Sequence, residues 1–190
     1  MISYKRIDCN YFEEYDTIPM RVFVNSQYVL GRINNGLGGI ILKEVPVENY
    51  IRDFSKHAKA TEFSEKFNIK NWVFFMAFDE EKPVGGVTIA SRTKEIHMLD
   101  GRDDMTVLWD IRVFDAYKHQ GIGQKLFDYA VQWSKSMGFK QMKIECQNNN
   151  VPACKFYHKQ GAVLRKIDEY AYFDDIDSQF EVQFIWYLDL

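Results

Sequence analysis

The stretch "DIRVFDAYKHQGIGQKLFDYAVQW", residues 110–133, joins two different patterns. Upstream, "MTVLWDIRVF" (105–114) mixes β-branched and aromatic residues and reads as a strand. Downstream, "IGQKLFDYAVQWSKSMG" (122–138) sets Leu126, Tyr129, Ala130, Trp133 and Met137 at helical spacing, and Gly138 stops it. Gly121 and Gly123 stand at the join. Glycine costs a helix about 1 kcal/mol relative to alanine. Two of them there imply a positive φ or a close approach to the backbone. A helix start offers unpaired N–H groups and a partial positive charge, a ready anion site. The N–H groups of Gln120, Gly121, Ile122, Gly123 and Gln124 are placed to wrap a pyrophosphate, with Lys118 and His119 beside them. A tight packing turn accounts for the same glycines. The stretch is neither a Walker loop, lacking GxxxxGK[ST], nor a dinucleotide fingerprint, lacking a third glycine.

Working outward, "WVFFMAFD" (72–79) and "VGGVTIASR" (84–92) flank turn residues and form a hairpin. "KQMKIECQ" (140–147) is a strand. "NVPACKFYHKQG" (150–161) is a short helix capped by Asn150 and stopped by Gly161. Residues 162–190 form a closing hairpin around "DDIDS". From Trp72 the order is β-β-β-α-β-α-β-β, a mixed α/β sheet with helices packed on it. Before Trp72, "MISYKRID" (1–8), "RVFVNSQYVLGRI" (21–33) and "GIILKEV" (39–45) read as strands, "INNGLGG" (33–39) as a turn, and "VENYIRDFSKHA" (47–58) as a helix.

The bulk numbers exclude several classes. A chain of 190 residues, 46% hydrophobic and 27% charged, is suited to one soluble domain. A net charge of −3 and the lack of a basic stripe argue against a nucleic-acid partner. Cys9, Cys146 and Cys154 lack disulfide or zinc spacing, which points to free thiols in a reducing cytoplasm. His57, His97 and His119 form no metal-binding pattern, so no metal is expected. The N-terminus carries acids and no long apolar core, so no signal peptide is expected. The apolar run near "WVFFMAF" is too short to span a membrane.

The glycine turn and the helix after it have a joint resemblance. Val113 ends a strand, Lys118 takes the place of a Q/R, and Gly121 and Gly123 follow. Asn150, Ala153, Phe156, Tyr157 and Gly161 then fit N-x-x-A-x-x-F-Y…G. Together these resemble the GNAT superfamily of acyl-CoA-dependent N-acetyltransferases. "ECQNNNVPACKFYHKQGA" with "FIWYLDL" is similar, more narrowly, to the streptothricin acetyltransferases within it, which acetylate an amine on the β-lysine part of a cationic antibiotic. Lys118 departs from the usual arginine or glutamine.

The resemblance implies a mixed, mostly antiparallel central sheet with helices on both faces, in a single domain over 1–190. Its acetyl-CoA-binding core would be residues 72–165, with substrate choice carried by 9–71 and the C-terminal hairpin. It implies acetyl-CoA as cosubstrate, no metal, a cationic small-molecule amine as partner and, by analogy with relatives, a homodimer. Ile111 and Val113 would pair with pantetheine through their backbone, Asn150 would add a side-chain contact, and the N–H near Val113 would meet the oxyanion. Tyr157 would protonate the departing thiolate, or else pack beside Phe156. Asp110 and Glu145 are candidate bases, or charged residues that bind substrate or satisfy the fold. The acidic residues Asp168, Glu169, Asp174, Asp175 and Asp177 either attract a polycation or mark a solvated turn. Other amines (a polyamine, an aminoglycoside, a protein N-terminus or lysine) and a non-catalytic acyl-CoA-binding module are the alternative readings.

Overall fold

Strand β4 (Val73–Asp79) is apolar at six consecutive positions, and all six are buried. That pattern belongs to a strand covered on both faces. Phe74, Met76 and Phe78 join one core cluster with Phe12, Tyr15, Ala60 and Phe63, while Phe75 stacks on Tyr129 with ring centroids 5.5 Å apart. The computed structural model describes residues 1–55 and 59–190. Contacts divide it into two compact units: residues 1–21, 53–144 and 188–190, and residues 22–52 and 145–187.

The first unit holds β1 (Ile2–Ile7), α1 (Phe12–Asp16), α2 (Ala60–Lys66), β4, β5 (Lys82–Ser91), β6 (Met105–Val113), α3 (Ile122–Ser136) and the start of β7 (Gln141–Gln147). The strands lie in the order β1-β4-β5-β6-β7, antiparallel except for the β6–β7 pair. A parallel neighbour needs a crossover, and α3 supplies it. Helices sit on both faces because β5 carries two adjacent glycines. A Cβ on Gly85 would stand 3.0 Å from Leu126 and 3.1 Å from Ile122 of α3. A Cβ on Gly86 would overlap the Tyr15 ring of α1, only 2.9 Å from its Cζ.

The second unit holds β2 (Arg21–Arg32) and β3 (Ile40–Asp53), a separate two-stranded sheet. It also holds the end of β7, α4 (Val151–Lys159), β8 (Val163–Asp168) and β9 (Gln183–Asp189). β8 and β9 pair antiparallel from Val163↔Tyr187 to Asp168↔Gln183. Cys146 and Cys154 are free thiols 3.5 Å apart, and the Trp186 indole N–H donates to the Cys146 sulfur at 3.2 Å.

From Trp72 onward the elements follow the expected order, and the sheet is mostly antiparallel as expected. The helix expected at 47–58 is corrected: β3 runs on through Asp53. Val47, Tyr50 and Ile51 suit a strand paired along a long hairpin. The last three residues of that stretch, 56–58 with His57, lie outside the described residues.

The Gly86–Tyr15 contact gives a stability prediction. Gly86→Ala has to displace a fully buried ring and should destabilise the protein by about 1–3 kcal/mol, whereas Gly101→Ala, with open space around its Cβ, pays only for its positive φ. Urea denaturation of both variants measures the difference; equal stability of Gly86→Ala and wild type would contradict the packing.

Candidate active site

The turn after β6 is built from backbone. Residues 115–117 form one 3-10 turn, His119 takes φ +61°, and Gly121 takes φ +83° at the N-cap of α3. No side chain caps the helix, and its first internal bond is Lys125 N–H to the Gly121 carbonyl at 3.0 Å. The N–H groups of Ile122 and Gly123 precede that bond, at the positive end of a 15-residue helix. Space is kept open beside them. A Cβ on Gly121 would meet nothing within 4 Å, and one on Gly123 only Val113 Cγ2 at 3.7 Å. A phosphate oxygen therefore fits where side chains are missing.

The neighbouring side chains are partly engaged. Lys118 Nζ pairs with Asp115 at 2.6 Å and donates to the Arg21 carbonyl at 2.6 Å. His119 and Gln120 are exposed, and Gln120 Nε2 donates to the Ala116 carbonyl at 3.0 Å. Gln124 donates from its side chain to Asp128 at 2.9 Å. The Ile122 side chain is buried and anchors the helix start.

β6 is bulged. Its register against β5 passes from Thr88↔Asp110 to Ile89↔Leu108, leaving Trp109 as the extra residue. The ladder to β7 runs only from Met105↔Gln141 to Leu108↔Ile144, although β6 continues to Val113. Ile111 and Val113 pair with Val87 and Gly85 of β5 on one edge. On the other edge, among the described residues, no β7 partner is registered beyond Leu108. An unpaired strand edge can take an extended, amide-bearing ligand as an added strand.

Asp110, next to the bulge, is wholly buried. Arg112 donates from Nη2 to Oδ2 at 2.8 Å and from Nε to Oδ1 at 3.3 Å, and from Nη1 to the Ile18 carbonyl at 3.3 Å. The Tyr15 hydroxyl donates to Oδ1, and Thr88 donates to that hydroxyl at 2.8 Å. The guanidinium lies 4.7 Å over the Tyr15 ring. Burial, then the Asp110 charge, raises the Tyr15 pKa well above the usual tyrosine value. For Arg112, burial opposes the charge, but Asp110 and Tyr15 outweigh it and the net shift is upward.

In the second unit, the Asn150 side chain accepts from the Ala153 N–H at 3.2 Å and caps α4. Tyr157 is buried on α4, with the Phe156 ring edge-on at 5.6 Å. Glu145 is half-buried on β7 and accepts from the Tyr172 hydroxyl at 2.6 Å; Gln147 Nε2 donates to that same hydroxyl at 3.0 Å. Burial, then the charge of Glu145, drives the Tyr172 pKa far upward, so Tyr172 stays a neutral donor. Among the described residues no group of three or more His, Cys, Asp or Glu is placed to hold a metal, and no helix is long and apolar enough to cross a membrane.

Sequence reasoning did not single out Tyr15, Thr88, Arg112, Gln147 or Tyr172. Arg112 carried a usable signal, since residues two apart on a strand share a face. Gln147 shares that relation with Glu145. Tyr15 and Tyr172 carried none, because each meets its carboxylate across a long sequence separation.

Residues 42–162 match the family model described as Acetyltransferase (GNAT) family. The chain is 26% identical over 113 residues to streptothricin acetyltransferase A of Bacillus subtilis (strain 168), covering 60% of each protein. It is 31% identical over 85 residues to the streptothricin acetyltransferase of Escherichia coli, covering 45% of this chain and 49% of that one. The matched stretches thus span between about half and three-fifths of these relatives' lengths. The fold is similar to that of a candidate streptothricin acetyltransferase of Bacillus anthracis str. Ames, solved in complex with acetyl coenzyme A, with a TM-score of 0.78 at 24% identity and full coverage of both chains. It is also similar to nourseothricin acetyltransferase, with a TM-score of 0.77 at 19% identity over 99% of this chain and 98% of that one. With the family model covering more than half of its length, the chain belongs to the acetyltransferase (GNAT) family.

Proposed function

We propose that this protein transfers the acetyl group of acetyl-CoA to a primary amine of a cationic small molecule, with the β-lysine part of streptothricin as its substrate. The observation that carries the reading is the uncapped start of α3, with open space at Gly121 and Gly123, directly after a bulged strand that registers no β7 partner beyond Leu108 among the described residues. One end suits a diphosphate and the other an extended pantetheine chain. The similarity to two streptothricin acetyltransferases supports the choice of amine. The whole of residues 1–190 is read as one acetyltransferase domain, with substrate choice carried by 9–71 and the C-terminal hairpin.

In this reading the N–H groups of residues 120–124 bind the diphosphate, with Lys118 and His119 at the rim. Ile111 and Val113 bind pantetheine through their backbone, and Asn150 adds a contact. The amine nitrogen attacks the thioester carbon, an N–C bond forms, and the C–S bond breaks. The developing oxyanion is met by the N–H near Val113. The thiolate takes the phenol proton of Tyr157, which recovers it from water, and the proton shed by nitrogen also passes to water. A lysine-like amine has a pKa of about 10.4, so only about one molecule in a thousand is neutral near neutral pH. Asp110 has Arg112 and Tyr15 on its oxygens. That arrangement supports a strut that holds the bulge rather than a base for the amine.

The direct test is expression in a sensitive bacterium challenged with streptothricin, paired with an assay for free CoA thiol. Growth and streptothricin-dependent thiol release are expected; equal turnover of every amine tried would contradict the antibiotic reading. Tyr157→Phe should lower kcat by about 10²-fold or more with acetyl-CoA affinity nearly kept, and unchanged turnover would remove Tyr157 from the acid role. Gly123→Val should weaken CoA binding by about tenfold or more by obstructing the anion. Calorimetry reads this, and unchanged affinity in the folded variant would undo the placement.

A further inference from the structure

The carboxylates of this protein differ in how their charge is met. Asp110 has Arg112, and Glu181 has Arg52 at 2.7 Å. Glu145 is half-buried and has no cation among the described residues; its one donor is the neutral hydroxyl of Tyr172. That hydroxyl is fixed in turn by Gln147. Glu145 Oε1 is thus held in place while the negative charge stays unneutralised. Tyr172 lies in a segment of the same sign: from Ile167 to Leu190 there is no lysine or arginine, and seven residues are Asp or Glu, of which Asp168, Glu169 and Glu181 pair with Lys166, Arg32 and Arg52. Such a segment attracts cations.

We propose that Glu145 is the receptor for a second, non-reacting ammonium of the substrate, and that Tyr172 is a positioning residue that aims it, making the enzyme selective for dibasic amines. The inference rests on the N-acetyltransferase reading and adds the substrate feature recognised. The choice of the non-reacting nitrogen follows from charge. A carboxylate beside an ammonium favours the protonated form. Placed on the attacking nitrogen, it would hold that nitrogen in its unreactive state; placed on a second ammonium, the same attraction binds substrate at no such cost. Gln147 completes the device. By donating to the Tyr172 hydroxyl it directs the hydroxyl proton to Glu145.

The test compares cadaverine with pentylamine, which shares its chain length and nucleophile and lacks the second ammonium. Wild type should favour cadaverine in kcat/KM by about tenfold, the scale of one charge-assisted contact. Glu145→Gln should erase that preference through KM, with kcat for pentylamine retained. Tyr172→Phe should shrink it in the same direction, and added salt should shrink it in wild type. A preference that survives Glu145→Gln, or a kcat loss equal for both amines, would overturn the inference, the second outcome marking Glu145 as a base. Calorimetric titration of CoA-saturated protein with cadaverine reads the same contact without turnover. Binding weakened about tenfold by Glu145→Gln, in a protein that acetylates no amine, would overturn the acetyltransferase reading and keep this one. Binding equal in wild type and variant, or absent from wild type, would overturn this one.

Discussion

Arg112 and Asp110 stand two residues apart on β6, with side chains 1% and 0% exposed. Taking two ions out of water costs several kcal/mol each, and mutual attraction offsets it only when the surrounding hydrogen bonds are also made. They are made here. Tyr15 and Arg112 together occupy the carboxylate, and the guanidinium reaches the Ile18 carbonyl and lies over the Tyr15 ring. Removing one partner alone leaves a buried charge, a loss of about 3–5 kcal/mol. The pair therefore ties α1, β5 and β6 together at the residue that follows the bulge.

The bulge depends on that tie. An extra residue weakens a ladder locally and bends its strand. Trp109, the extra residue, has its own seat against Phe63, Phe67 and Trp72, with ring centroids 6.1, 5.4 and 5.3 Å away. With Trp109 held by aromatic packing and Asp110 by the ion pair, β6 cannot slide by one residue to restore regular pairing. Its registered pairing with β7, among the described residues, ends at Leu108, and the backbone from Trp109 to Val113 runs on to the glycine turn. The paired glycines of β5 serve the same end, since Gly86 gives Tyr15 the room to reach Asp110.

What could be read from the sequence follows from range. The glycine turn, α3, the Asn150 cap and the order from Trp72 are local patterns, set by residues a few positions apart, and all were legible. Residues 9–70 were less so. α1 has only five residues, too few for a helical period to show. β3 was misread in its second half because its apolar residues do not alternate toward a core: Tyr50 and Ile51 are neighbours and both exposed, at 42% and 65%. Asp110 and Glu145 were visible as carboxylates on strands, but their partners were not. Tyr15 lies 95 residues from Asp110, and no local pattern announces such a contact.

That difference in partners separates two carboxylates that look alike in sequence. Both sit on strands ahead of a motif, and both are candidates for the amine. A carboxylate already matched by a guanidinium offers little to an incoming cation, since the new attraction is met by repulsion from the resident charge. A carboxylate matched only by a hydroxyl keeps its charge available. By this argument Asp110 suits a structural role and Glu145 suits the recognition proposed for it, and the difference is set by one side chain, Arg112, standing on the same strand face as the acid it neutralises.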